Sequence, residues 1–167
     1  MKKLLLLLFL GFTLVGFSQT TLIPNPNFEQ ALIDLGYDSG TINGSVPTAD
    51  ISGITSLDVY NYNITDLTGI EDFTALTSLS CDSNQLTSLD VSNNTALTYL
   101  NCYDNQLTSL DVRNGNNTNF TSFYSSNNPN LTCIFVDNAS YSTANWTDID
   151  ATNTFVNNEA ACEALNT

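Results

Sequence analysis

The chain has 167 residues, with 17 acidic and 3 basic side chains and no histidine, so its formal net charge is −14. That charge argues against nucleic acid and anionic membrane surfaces as partners, because both repel it. Without histidine, acid–base chemistry falls to carboxylates, and none stands in a recognisable glycosidase or protease motif, so no enzyme is expected. No metal and no cofactor are expected either: the 4 cysteines include no Cys-x-x-Cys pair, and no histidine is there to complete a zinc site.

The first residues are MKKLLLLLFLGFTLVGFSQT. Lys2 and Lys3 precede an apolar run from Leu4 to Val15, and small or polar residues follow, which is the layout of a secretory signal. The run is shorter than the ~20 residues that a bilayer span needs. Residues 1–19 are therefore predicted to be a signal peptide, cleaved near Gln19–Thr20. Cleavage would remove both lysines and leave Arg113 as the one basic residue. The remaining chain is expected to be secreted or held at the cell surface, with no membrane insertion. Its ~148 residues can bury one core. An oxidising compartment would permit disulfides.

Residues 20–53 are expected to form an N-terminal cap. In PNPNFEQALIDLGYDSG, Asn25 can cap a helix with Pro26 at its first position. Phe28, Leu32 and Leu35 are placed on one apolar face, and Gly36 can end the helix. The run DSGTING, Asp38 to Gly44, lacks the alternating acidic ligands and final glutamate of a calcium loop, so it is assigned as a turn.

Residues 54–136 repeat. Leu76, Leu79, Cys81, Asn84 and Leu86 fit L-x-x-L-x-C-x-x-N-x-L, and Leu97, Leu100, Cys102, Asn105 and Leu107 fit it again 21 residues on. Phe120, Phe123, Ser125 and Asn128 continue it after extra residues near Gly115, and Leu131 follows one more insertion. Ile54, Leu57, Val59 and Ile64 give an earlier copy, with Tyr62 at the asparagine position. This is the leucine-rich repeat pattern. The fold expected is an α/β solenoid: a short right-handed coil of about four turns with a parallel β-sheet on its concave face, a helical N-terminal cap and a disulfide-closed C-terminal cap. Cys81 and Cys102 take inward slots equivalent to Val59 and Ser125, as small buried hydrophobes, and are expected to be free thiols. Asn84, Asn105 and Asn128 should bond backbone groups of adjacent turns. Strand residues facing outward should line the concave face, among them Asp58, Tyr60, Asp82, Tyr99, Asn101, Tyr103 and Tyr124. Tyrosine combines large contact area with a polar tip, which suits an interface. Solvent-facing strand tyrosines without a ligand fit the same pattern. Asp90 and Asp111 stack on the return side, where solvated aspartates are expected.

Residues 137–167 are expected to form the C-terminal cap. Cys133 and Cys162 both lie outside the repeat's cysteine slot and bracket Trp146, so they are paired as a structural disulfide. Trp146 is assigned to the cap's core.

The first copy, ITSLDVYNYNITDLTGIEDFTALTSL, resembles the repeats of internalins and related bacterial surface proteins, and the run from Tyr62 to Glu71 carries the likeness. The later copies, LTSLDVSNNTALTYLNCYDNQ, resemble secreted leucine-rich repeat proteins of Bacteroidetes. In that group the repeats sit beside other surface domains or a carboxy-terminal sorting domain. The resemblance implies a monomeric binding module for a protein or a glycan, without naming the ligand. The alternative is a structural spacer or cell-surface component with no specific ligand.

Overall fold

The structure, a computed structural model, describes residues 19–165. The signal peptide expected over residues 1–19 lies outside them, apart from Gln19. The chain opens with β1 (Thr20–Leu22), α1 (Pro26–Asp34), β2 (Ser45–Pro47) and the single turn α2 (Thr48–Ile51). β1 and β2 pair antiparallel. The Asn25 side chain accepts the Phe28 N–H at 3.0 Å and so starts α1. Gly36, at φ 78°, turns the chain away after it. Phe28, Ala31 and Leu32 are buried. Leu35 is not on that buried face: it is the C-cap and stands 38% exposed, because the helix stops at Asp34 before the core extends that far. Glu29 is fully buried instead. Its carboxylate accepts the N–H groups of Asn43 at 2.6 Å and Gly44 at 2.8 Å, which pins the end of the 38–44 turn.

The strands that follow are β3 (Ser56–Asp58), β4 (Ser78–Ser80), β5 (Ser88–Asp90), β6 (Tyr99–Asn101), β7 (Ser109–Asp111), β8 (Ser122–Tyr124), β9 (Cys133–Phe135) and β10 (Thr154–Val156). They form two parallel sheets, β3-β4-β6-β8 and β5-β7-β9-β10, and from β4 to β9 the chain alternates between them. In the first sheet Leu57, Leu79, Leu100 and Phe123 share one register row. In the second, Leu89, Leu110, Ile134 and Phe155 do the same. All eight are buried in one hydrophobic cluster. No single turn could make that core alone.

The parallel sheet expected from the repeat is present. The α/β assignment needs a correction. Each full repeat returns through a second strand, not a helix, and between residues 56 and 136 the only helical turns are the 3₁₀ segments Ile70–Asp72 and Asn117–Asn119. The reason lies in LTSLDV, where Leu89 and Val91 point inward and Ser88 and Asp90 outward, a period of two. The Asn, Ser and Thr around it hydrogen-bond their own backbone and disfavour a helix. α3 (Ala139–Asn145) and α4 (Glu159–Glu163) lie at the C-terminal end.

Asparagine side chains tie turn to turn. Asn105 Oδ1 accepts the Leu86 N–H at 3.0 Å, while its Nδ2 donates to the Cys81 carbonyl at 3.0 Å and the Cys102 carbonyl at 3.2 Å. Asn84 and Asn128 repeat this one turn before and after. Asn61, Ser83, Asp104 and Asn127 occupy one equivalent corner, each with φ between 54° and 61°. Cys81 and Cys102 are free, fully buried, and one register step apart. Burial pushes both thiols up, Cys102 to about 12.

Both ladders run past residue 136. Tyr124 and Asp148 form a parallel bridge, and the Ser125 N–H donates to the Asp148 carbonyl at 2.9 Å, which extends the first sheet. Trp146 stacks on Phe123 with centroids 4.3 Å apart and meets Phe155 edge-on at 5.7 Å. Cys133 and Cys162 form a disulfide with Cα atoms 5.9 Å apart, joining β9 to α4. No helix among the described residues is long and apolar enough to cross a membrane.

Candidate recognition surface

The outward residues of the first sheet stand in three rows. The rows are Ser56, Ser78, Tyr99 and Ser122; Asp58, Ser80, Asn101 and Tyr124; and, just past the strands, Tyr60, Asp82, Tyr103 and Ser126. The strands hold these positions to a fixed spacing of about 4.8 Å from turn to turn. Local bonds fix them further. Asn101 Oδ1 accepts the Tyr103 N–H at 3.2 Å, and Asp58 Oδ1 accepts the Tyr60 N–H at 3.1 Å. Ser80 donates its hydroxyl to Asp82 at 2.7 Å. Along the edge, the Thr77, Thr98 and Thr121 hydroxyls each donate to the carbonyl of the turn before.

Tyr99, Asn101, Tyr103 and Tyr124 come together in a hollow of about 260 Å³, and Asp148 completes it. The Tyr99 and Tyr124 rings lie 6.0 Å apart and are tilted by 59°. Tyr60, Asp58 and Asp82 do not line this hollow; they occupy earlier turns of the same face, and Tyr60 is 53% exposed. The four tyrosines therefore do not make one cluster: three converge and the fourth stands apart. Asp148, held by the Ser126 hydroxyl, is not among the residues that the repeat predicts for this face. Asp148 pairs in register with Tyr124, so it takes the outward position that Asn101 and Tyr124 hold in the turns before, but no repeat letters around it mark that position in the sequence. A second hollow of about 350 Å³ adjoins the first at Tyr124 and Asp148, between β8 and the segment Tyr141 to Thr147.

The electrostatics of this face are one-sided. Partial burial raises the Tyr99 phenol, and Tyr124, Asp82 and Asp58 add to the rise. The only basic side chain among the described residues, Arg113, lies just past the end of β7. Its Nε donates to both carboxylate oxygens of Asp111, at 3.0 and 3.1 Å, and its Nη2 reaches Glu159 at 3.1 Å. Asp111 is thus ion-paired, which corrects the expectation of a solvated aspartate; Asp90, its register partner, is exposed. Hydrogen bonds that Arg113 donates to Asp111 raise the Arg113 pKa above its ordinary value, and Glu159 is lowered by its own backbone N–H and by Arg113. Among the described residues no group of three or more acidic, cysteine or histidine side chains could hold a metal.

No family model matches the chain. Over 50 residues, 30% of its length, the chain is 44% identical to Internalin J of Listeria monocytogenes serotype 4b (strain F2365), and it spans 6% of that protein. Over that stretch the repeats are similar to those of this internalin. Two solved internalin structures are similar. The functional domain of InlJ from Listeria monocytogenes, described as including a cysteine ladder, matches 89% of this chain and 42% of that one at 29% identity, with a TM-score of 0.47. An internalin, InlF, from Listeria monocytogenes strain 4b F2365 matches 69% of this chain and 44% of that one at 20% identity, with a TM-score of 0.48. The chain thus spans less than half of either.

Proposed function

We propose that this chain is an exported recognition module, a monomeric solenoid that binds a protein or a glycan through its concave sheet and performs no catalysis. One observation carries the proposal: Tyr99 and Tyr103 from one turn and Tyr124 from the next converge with Asn101 and Asp148 on one hollow. Rigid aromatic side chains with polar tips give large contact area at low entropic cost. Asp58, Tyr60 and Asp82 would serve as the outer part of the same contact surface. The Cys133–Cys162 disulfide suits an extracellular site of action. The internalin-like repeats support a protein-interaction role.

The test is capture. Immobilised protein is incubated with bacterial and host surface extracts beside the double variant Tyr99→Ala/Tyr103→Ala. Loss of a specific band in the variant, with an unchanged melting temperature, supports the proposal. If the unaltered protein captures nothing, or the variant captures equally well, the chain is a spacer.

A further inference from the structure

The hollow is aromatic on its walls and carboxylate at its rim, and no basic side chain of the described chain approaches it. Tyr99, Tyr103 and Tyr124 present π faces and phenolic oxygens. Ring faces attract cations through their quadrupole, by roughly 0.5–1 kcal/mol at exposed sites and more where water is displaced. Asp148 has one carboxylate oxygen tied to the Ser126 hydroxyl and keeps the other for a ligand. Asn101 adds an amide whose oxygen already accepts one N–H. Asp82, beside Tyr103 in the outer row, adds negative charge within a Debye length. A neutral sugar would gain from the rings and the amide but not from the carboxylates. An anionic ligand would be repelled by them.

We infer that the hollow takes a cationic side chain, arginine ahead of lysine, presented by a basic segment of a partner protein. The inference rests on the recognition role proposed above and narrows it from protein-or-glycan to one chemistry. Arginine leads because a flat guanidinium can stack on an exposed tyrosine ring face while its fork of N–H donors meets a carboxylate; an ammonium can do only one of these well.

A strongly acidic protein attracts any polycation, so the probe must carry a single charge. Acetyl-Gly-Arg-Gly-amide is titrated into the isotope-labelled protein and followed by backbone amide resonances, beside the same peptide with neutral citrulline in place of arginine. The expected result is saturable shifts confined to the hollow for arginine and none for citrulline. Tyr103→Leu, which leaves the charge unchanged, should weaken binding about fivefold, as should Asp148→Asn, whereas Asp90→Asn on the other sheet should change it less than about twofold. Equal shifts from citrulline, or shifts spread across the acidic surface and insensitive to Tyr103→Leu, overturn the assignment. If the tyrosine double variant loses capture from extracts while arginine gives no response, the cation assignment fails and the recognition role stands.

Discussion

At its N-terminal end the coil is covered by elements of another kind. α1 lays Phe28 against Phe73 with centroids 6.2 Å apart, and Ile23, Ala31 and Leu32 fill the space beside them. Asn25 and Asn27 reach across to Thr65 Oγ1 and the Asn63 carbonyl, at 2.7 and 2.8 Å. At its C-terminal end the coil covers itself. The last two turns keep the register but fill the core with Phe120, Phe123, Trp146 and Phe155, and a disulfide closes the end. One end is thus sealed by docking a separate element, the other by plugging the final turn with aromatics and fastening it covalently. A docked cap fails when its close contacts are disturbed, and a stapled plug fails when the staple is cut.

The largest effect should come from cutting the staple. Cys133→Ser with Cys162→Ser releases a loop with a sequence separation of 29. The expected loss is about 3–4 kcal/mol of unfolding free energy in a denaturant titration. Trp146 should move toward water, seen as a red shift of its fluorescence, while amide protection in α1 stays as it was. Equal loss of protection at both ends would show that the coil melts as one piece and that the contrast is false.

Gly69→Ala probes the opposite end. Gly69 has φ 103°, and a Cβ there would lie 2.4 Å from Ile23 Cδ1 and 2.6 Å from the Leu22 carbonyl oxygen. The backbone of the β1 end would have to move, at a cost on the order of 2 kcal/mol. Amide protection should fall in β1 and α1 and hold in β9 and β10. Unchanged protection across α1 would mean that the cap does not depend on this close approach.

The two ends also differ in how legible they are in the sequence. Asn25, Pro26 and Gly36 mark α1 by local chemistry, and the helix runs where they place it. The repeat letters place Cys81, Cys102 and the asparagine ladder, because a fixed spacing in a coil is a fixed position in space. The return strands are hidden: three-residue strands are too short to stand out among Ser, Asn and Thr. The last turn is hidden because Trp146 and Asp148 occupy repeat positions with residues the pattern does not specify. That gap reaches the candidate site, since Asp148 is the one hollow-lining residue contributed by that turn. Tyr60 shares the face of the other tyrosines but stands two turns before Tyr103 by the same spacing, so grouping by face alone draws it into a hollow that it does not line.

The smallest effect concerns the inward column itself. Val59, Cys81 and Cys102 fill it with apolar or weakly polar groups, and Ser125 then places a hydroxyl there, fully buried and without a hydrogen-bond partner. Such a group costs roughly 1–3 kcal/mol of desolvation. Ser125→Ala should therefore stabilise the protein by about 1 kcal/mol at neutral pH, after allowing for the dispersion attraction that the oxygen supplied. Ser125→Cys should stabilise it similarly, since a thiol suits a buried apolar slot. The two variants part company in alkali. Burial holds the Cys102 thiol at about 12 against an ordinary value of 9.0, and a third thiol in the same column would be raised for the same reason. A raised folded pKa contributes stability that is complete below the unfolded value and is lost as pH climbs toward the folded one. The Ser125→Cys protein should thus fall more steeply than Ser125→Ala between pH 9 and 12, read as denaturation midpoints at pH 7 and pH 10. A destabilised Ser125→Ala protein at pH 7 would show that the hydroxyl contributes more by packing than it costs, and the plug at this end would then begin at Ser125 rather than at Trp146.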